Sequence, residues 1–174
     1  MRAGKPYPPA TLEEFQLVEG VVSGCHMLKQ AGFILVVATN QPDVGRGTQS
    51  KANVEAIHQQ LRHLVPTIDH IEVSYDAGNT PAPAPRRKPE PGMLIDSAQT
   101  LGLDLTQSWM VGDRWRDIDC GHAAGCQTVF IDLGHDEKLR SEPHFTVPNF
   151  MAAVRVILAH KSDGLIGSFK KQLR

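Results

Sequence analysis

Few features of this sequence would place it at a membrane or on nucleic acid. No apolar run approaches the roughly 20 residues that span a bilayer, and the opening stretch, MRAGKPYPPATLEEF, lacks the apolar core of a signal peptide. The formal net charge is −1, so there is no excess of positive charge to bind a phosphodiester backbone or an anionic lipid surface. We therefore expect neither nucleic acid nor a membrane among the partners.

Cysteine is scarce as well. Cys25, Cys120 and Cys126 show no C-x-x-C or paired pattern, which gives no zinc site and is typical of a reducing compartment, so we expect a cytoplasmic protein. The chain has 174 residues, enough for a sizeable core, and it shows no repeat or linker that would divide it. We expect a single domain over residues 1–174, with an irregular start at 1–10 and a tail at 161–174.

Apolar runs and helical periodicity alternate along the chain. The continuous run FILVVA (33–38) is typical of a strand buried on both faces of a parallel sheet. Further strands are predicted at 70–75, 109–111 and 127–132. Helices are predicted at 18–31, 52–64 with Ser50 as N-cap, 92–101, after Asp113 through Ala124, and 150–160. This alternation predicts an α/β fold with a mainly parallel sheet.

Polar side chains follow three of these segments, and ligands of open α/β sheets bind beyond the carboxyl ends of strands. The candidates are Thr39, Asn40 and Gln41, then Arg87 and Lys88 in the proline-rich loop 76–91, then Asp113 and Arg114 after the Gly112 turn. Hydroxyl groups and cations bind phosphate oxygens, and an aspartate can hold Mg²⁺. The set suits phosphoryl transfer, where catalysis is mostly positioning and charge stabilisation.

Asp117 and Asp119 allow two interpretations. Both lie at the start of the helix that follows Asp113, where a carboxylate complements the helix dipole without any further role. Alternatively, they contribute to the same site as Asp113. The residues alone leave both interpretations open.

Three segments resemble the haloacid dehalogenase (HAD) superfamily of phosphatases, and within it the group of histidinol phosphatases and D-glycero-D-manno-heptose 1,7-bisphosphate phosphatases. They are VVATNQPDVGRG (36–47), RRKPEPGM (86–93) and MVGDRWRDID (110–119), and the resemblance spans about residues 14–133. It implies a Rossmann-like HAD core without a large cap domain, and a hydrolase of carbohydrate metabolism. The implied substrate is a small phosphomonoester, such as heptose bisphosphate or histidinol phosphate.

The resemblance also implies roles for single residues. Thr39 and Lys88 would stabilise the transferring phosphoryl group, and Asp113 would be a ligand of Mg²⁺. The implied contacts to substrate phosphate or sugar are Asn40, Gln41, Arg46, Arg87 and Arg114. Relatives that carry zinc use a Cys/His loop before the lysine, and residues 76–85 contain neither Cys nor His, so no zinc is expected.

The sequence departs from this group in its first strand. The Asp-x-Asp that supplies the nucleophile and the acid/base in the group should precede Thr39 on a central strand, and here the only Asp-x-Asp is Asp117-Ile118-Asp119 at a helix start. We therefore expect weak Mg²⁺ binding and an N-terminally truncated, inactive phosphatase. The alternatives are a non-catalytic phosphate-binding protein or partner protein, and a plain α/β domain without a site.

The absent central strand also bears on the fold. Unpaired backbone groups on its two neighbours would cost on the order of 1–3 kcal/mol each if buried, and exposed strand edges invite pairing with another chain. We expect the segments 33–38 and 109–111 to pair directly with each other, to be bridged by a borrowed segment, or to cause self-association. The apolar stretch GLIGSF (164–169) is a poor bridging strand because of its two glycines.

Overall fold

The computed structural model describes residues 9–79, 84–134 and 136–172, with side chains described as far as residue 161. The elements of this part of the chain, in order, are α1 (Val21–Gln30), β1 (Val36–Asn40), α2 (Pro42–Gly45), α3 (Lys51–Leu64), β2 (His70–Ser74), α4 (Gly92–Leu101), a 3₁₀ turn (Leu105–Gln107), β3 (Trp109–Gly112), α5 (Trp115–Ala123), β4 (Gln127–Ile131), β5 (Phe145–Val147) and α6 (Phe150–Gln172). None of the described helices is both long enough and apolar enough to cross a membrane.

The strands form two parallel sheets rather than one. β1 pairs with β2, with Val36 opposite His70, and the other sheet has the order β3-β4-β5. No hydrogen-bonded ladder joins β1 to β3, so the predicted direct pairing of 33–38 with 109–111 is wrong. No described segment bridges them either, and GLIGSF lies within α6. The α/β class with parallel sheets and flanking helices is confirmed.

The first strand differs from its predicted form. β1 begins at Val36, three residues after the start of the apolar run, and all five of its residues are half-buried instead of enclosed on both faces. The cause is its position at a sheet edge, because among the described strands only β2 pairs with it. Ile34, just before the strand, is exposed to 46%.

Helix ends account for other differences. α1 begins at Val21 instead of Val18, because Gly20 adopts a φ of 80° and separates the helix from the residues before it. The predicted loop after β1 contains the short helix α2, which starts at Pro42. Ser50 is confirmed as the N-cap of α3, where its hydroxyl accepts a hydrogen bond from Asn53 N at 3.1 Å.

The C-terminal part holds the largest deviations. The predicted tail 161–174 continues α6 as far as Gln172, and β5 and the 3₁₀ turn had no clear sequence signal. β5 has only three residues and pairs at the edge of its sheet, so its stability depends on β4 rather than on its own pattern.

Of the predicted irregular start 1–10, residues 1–8 lie outside the described residues, and the other two lie in neither helix nor strand.

The hydrophobic core connects the two sheets. Leu28 of α1 packs with Val154 and Ile157 of α6, and partly buried residues from both sides of the fold lie against this cluster, among them Leu35 and Trp109. Burying one such aliphatic side chain contributes about 1.5–3 kcal/mol. The two helices therefore hold β1 and β3 in one body although no backbone ladder links them.

Candidate active site

One pocket gathers all eight residues that the sequence singled out. It has a volume of ≈ 480 Å³ and lies at the carboxyl ends of β1 and β3. Its lining consists of Thr39, Asn40, Gln41, Pro42, Asp43, Arg46, Arg87, Lys88, Asp113, Arg114, Arg116 and Asp117. Strand exits that are far apart in the sequence therefore meet at one edge of the fold, as the parallel arrangement requires.

Lys88 is nearly enclosed in the pocket, with its side chain 11% exposed. Its ammonium donates a hydrogen bond to the Ala38 carbonyl of β1 at 2.6 Å and forms an ion pair with Asp117 Oδ1 of α5, also at 2.6 Å. The Ala38 carbonyl points away from β2. Alternate residues of β1 form the main-chain hydrogen bonds to β2, and this series runs from Leu35 O to Gln41 N, so it does not include Ala38. Lys88 thus links the open edge of one sheet to a helix that packs on the other.

Asn40 fixes the backbone of that lysine. Its amide nitrogen donates to Lys88 O at 2.9 Å, and its amide oxygen accepts from Lys88 N at 3.0 Å. Both polar ends of the Asn40 side chain are therefore engaged by one residue 48 positions away. This geometry supports a positioning role for Asn40 beside the substrate contact that the resemblance implies.

The loop that carries Arg87 and Lys88 is held in place by ion pairs of the preceding residue, Arg86. Arg86 forms ion pairs with Glu72 of β2 and with Asp96 of α4. Glu72 is buried, and its other oxygen lies 3.0 Å from His70 Nε2. The peptide bond between Lys88 and Pro89 is cis. These contacts tie a proline-rich segment, which has little regular structure of its own, to two regular elements.

Asp117 is the main functional candidate that sequence reasoning left undecided. Its side chain is 7% exposed; Oδ1 binds Lys88, and Oδ2 accepts the Arg114 backbone N–H at 3.1 Å. A Cβ at Gly112 would overlap this carboxylate, so glycine at the strand exit makes room for it. The sequence feature that pointed to Asp117 is its spacing of four residues from Asp113, which places both acids near the first turn of α5.

Three further lining residues were not predicted: Pro42, Asp43 and Arg116. Asp43 is paired with Arg46 at 3.3 Å, a contact that the i,i+3 spacing could have indicated. Arg116 carries positive charge in the first turn of α5, where the helix dipole disfavours it. Its buried Nε has no hydrogen-bond partner among the described residues.

Arg46, Arg87 and Arg116 concentrate positive charge on one side of the pocket. Burial lowers the pKa of the Arg87 guanidinium, and repulsion from Arg116 and Arg46 lowers it further. Arg46 Nε donates to Ala77 O at 3.1 Å, and Arg87 Nη1 donates to Asp76 O at 2.9 Å, so backbone carbonyls hold two of the three groups. Mutually repelling cations held together in this way favour an anionic ligand.

Asp113 is the carboxylate most available to a cation. Its side chain is 39% exposed, and Arg114 Nε lies 3.7 Å from Oδ2, longer than a hydrogen bond. No group of three or more acidic, histidine or cysteine side chains suited to a metal occurs among the described residues. Since Mg²⁺ is often held by one or two carboxylates together with water and substrate phosphate, Asp113 fits a partial ligand set and not a complete one.

Thr39 completes the pocket on the β1 side. Its hydroxyl accepts a hydrogen bond from Gln41 Nε2 at 3.3 Å, which leaves its own O–H to donate to a ligand. This hydroxyl and the Lys88 ammonium lie in the same pocket, at the end of β1. Fold and pocket together define the class: a Rossmann-like α/β domain with a pocket of charged side chains at the carboxyl edge of its parallel strands.

Comparisons with known proteins identify the family within that class. A family model described as HAD-hydrolase-like matches residues 85–153. D-glycero-D-manno-heptose-1,7-bisphosphate 7-phosphatase of Thermosynechococcus vestitus is 31% identical, with 86% of each chain covered. The corresponding D-glycero-beta-D-manno enzyme of Pseudomonas aeruginosa is 34% identical, with 76% of each covered.

Solved structures agree with this relationship. D,D-heptose 1,7-bisphosphate phosphatase from B. bronchiseptica, complexed with magnesium and phosphate, superposes with a TM-score of 0.74 at 25% identity, covering 87% of this chain and 88% of that one. A HAD-like phosphatase from Mesorhizobium loti gives a TM-score of 0.68 at 26% identity, with 85% and 78% covered. The chain belongs to the HAD-like hydrolase family that includes these heptose-bisphosphate phosphatases.

Proposed function

We propose that this chain binds a small sugar phosphate at the pocket between β1 and β3 and supplies the phosphoryl-stabilising groups of a HAD-type phosphatase. The observation that carries the proposal is the position of Lys88, enclosed between Ala38 O and Asp117 with the Thr39 hydroxyl in the same pocket. A fixed, largely dehydrated ammonium stabilises the charge of a transferring phosphoryl group more strongly than a solvated one. The names of the relatives support an enzymatic role over a purely phosphate-binding one.

The substrate class follows from the charge of the pocket. Thr39 and Lys88 suit one phosphate, and the guanidinium groups of Arg46, Arg87 and Arg116 suit a second anionic group of the same molecule. A heptose bisphosphate, the substrate in the names of the relatives, carries two such groups. We rank it above a substrate with a single phosphate such as histidinol phosphate. The three buried free cysteines are consistent with action in the cytoplasm.

Mg²⁺ would be held through Asp113, with the remaining positions taken by water and substrate phosphate oxygens. When bound, the ion would neutralise phosphate charge. With one protein carboxylate in place the affinity should be weak. Submicromolar Mg²⁺ binding by calorimetry that survives Asp113→Asn would contradict both the residue and the strength of the site.

Catalysis by residues 1–174 alone should be negligible. An aspartyl-phosphate route needs a carboxylate nucleophile at the end of a strand beside Lys88. None of the three acids of the pocket is placed for it: Asp113 is the metal candidate, Asp117 is bound to Lys88, and Asp43 is paired with Arg46. Turnover of heptose bisphosphate by this chain, lost in Lys88→Ala, would reveal a carboxylate in an unforeseen role. Adding a strand that ends in Asp-x-Asp before residue 1 should confer activity.

Binding is tested separately from turnover. Phosphorus NMR or calorimetry with heptose 1,7-bisphosphate should show binding by the unaltered chain and at least about a tenfold loss in Lys88→Ala or Thr39→Val, since each removes a charged or aligned donor. Lys51→Ala removes an exposed lysine outside the pocket and serves as the control. Equal affinity in Lys51→Ala and Lys88→Ala would move the phosphate site elsewhere.

A further inference from the structure

Glu137 lies outside the three motifs yet reaches the site. It belongs to the segment of residues 132–144 between β4 and β5, whose other described residues are mostly exposed. Its own side chain is only 11% exposed, because both carboxylate oxygens are engaged at the start of α5. Oε2 forms an ion pair with Arg114 Nη1 at 2.9 Å, and Oε1 accepts the Trp115 backbone N–H at 3.0 Å.

Arg114 therefore lies between two carboxylates that compete for it. Its distance to Glu137 is that of a charge-assisted hydrogen bond, whereas its distance to Asp113 is 3.7 Å. Glu137 is also the less exposed of the two acids, 11% against 39%, so its attraction is less screened by water. The shorter distance and the lower exposure therefore both favour the ion pair of Arg114 with Glu137 over that with Asp113.

The backbone around Arg114 cannot follow a change of partner. Arg114 N donates to Asp117 Oδ2 at 3.1 Å, and Trp115 N donates to Glu137. The Arg140 guanidinium lies 3.4 Å from the centre of the Trp115 ring and adds a second contact between segment 132–144 and α5. A change of partner by Arg114 would therefore involve its side chain and not its backbone.

We propose that Glu137 is a positioning residue that draws the Arg114 guanidinium away from Asp113 and so keeps the Asp113 carboxylate available to a divalent cation. Asp113 is another acid within ion-pair range of Arg114, and without Glu137 a direct Arg114–Asp113 pair would occupy the oxygens that a cation needs. The inference rests on the proposed function in one respect, the assignment of Asp113 as a metal ligand.

The test is a cycle of variants on the full chain, with binding of Mn²⁺ as a probe for Mg²⁺ followed by water-proton relaxation. Glu137→Ala should weaken Mn²⁺ binding by about tenfold, the usual size of an effect on a ligand's supporting partner. In an Arg114→Ala background, Glu137→Ala should weaken Mn²⁺ binding no more than Asp136→Asn does. Asp136→Asn removes one exposed charge from the same segment. A crystal structure of Glu137→Ala should show Arg114 within hydrogen-bond distance of Asp113.

The outcomes distinguish the role of Glu137 from the assignment of Asp113 as a metal ligand. Mn²⁺ binding by the unaltered chain with no loss in Glu137→Ala, or with the same loss in both backgrounds, overturns the role of Glu137 and leaves Asp113 as a ligand. An Arg114 side chain that keeps its distance from Asp113 in the Glu137→Ala structure also overturns it. No Mn²⁺ binding by the unaltered chain overturns the metal assignment and this inference together.

Discussion

Lys88 combines a structural and a chemical task in one side chain. It occupies an outward carbonyl of β1 and neutralises a carboxylate of α5, and both contacts are 2.6 Å long. A buried ion pair adds little net stability by itself, because desolvation offsets the attraction, but removing one partner leaves an uncompensated charge. The same enclosure that makes Lys88 suitable for phosphate makes its loss costly.

The first prediction concerns this pair. Lys88→Met should lower the free energy of unfolding by about 3–5 kcal/mol, because Asp117 is then buried without a counter-charge. Urea denaturation measures the change. Lys51→Met is the matched control: its pair with Glu55 is 3.5 Å long, with side chains 62% and 53% exposed, so its loss should be below about 1 kcal/mol.

A double variant gives the sharper check. Lys88→Met combined with Asp117→Leu removes both charges and should recover a large part of the lost stability. Additive losses in the double variant would mean that the two side chains do not depend on each other.

At the scale of elements, Asp69 holds together the starts of both strands of the smaller sheet. Its carboxylate accepts the Leu35 N–H at 2.8 Å and pairs with Lys29 at the end of α1. Burial raises the pKa of Asp69, but the Leu35 N–H and the Lys29 ammonium outweigh it, and the net pKa is lowered from 3.8. One carboxylate thus ties α1, β1 and β2 at one end of the sheet.

The second prediction follows from that pKa. Because the folded-state pKa lies below the unfolded value, the contribution of Asp69 to stability is complete above about pH 4 and is lost as the pH falls through the folded value. Asp69→Asn should therefore reduce stability at neutral pH and flatten its dependence on pH in the acid range. Thermal unfolding between neutral and strongly acid pH measures this. Asp136→Asn, an exposed control, should keep the steep acid dependence.

The junction of β3 and α5 gives the third prediction. Gly112→Ala should lower the free energy of unfolding by about 1–3 kcal/mol, since the new methyl group overlaps the Asp117 side chain and pushes it from Lys88. Chemical denaturation is again the measurement. Adding Gly112→Ala to Asp117→Ala should cost less than adding it to the unaltered chain. A cost that does not depend on residue 117 would mean that strain in the backbone, not this contact, limits position 112.

At the scale of the whole molecule, the core and Lys88 join two sheets that share no ladder. Among the described residues, the outward edge of β1 carries the Lys88 contact at Ala38, and β3 pairs with β4 alone among the described strands. Unpaired strand edges are templates for another chain. In the part of the chain that the structure describes, side chains therefore hold the two sheets together where a continuous sheet would use backbone hydrogen bonds.

The fourth prediction is that residues 1–174 self-associate. Sedimentation velocity over a range from micromolar to hundreds of micromolar should show dimers or larger species that increase with concentration, because edge pairing satisfies backbone groups that are otherwise open. Unfolding should respond to protein concentration for the same reason. A monomer at every concentration, with one cooperative transition independent of concentration, would show that these edges are already satisfied within the chain.

The sequence determined much of the local structure and eight of the twelve residues that line the pocket. Ser50 capped α3 as its position predicts, and the polar residues after Ala38 and Gly112 reached the pocket because parallel strands end at the same edge. Such features depend on propensities and periodicities within a few residues, which any reader of the chain can follow. The three motifs likewise indicated the family.

Tertiary structure decided the rest, because burial and pairing depend on residues far apart in the chain. Only the fold placed Asp117 in the pocket, by burying it against a lysine 29 positions earlier. Only the fold separated β1 from β3, left the run predicted to be enclosed half-buried, and brought Glu137 to Arg114. A sequence pattern fixes which side chains a segment offers, whereas the partner of each charge is set by contacts that no local pattern contains.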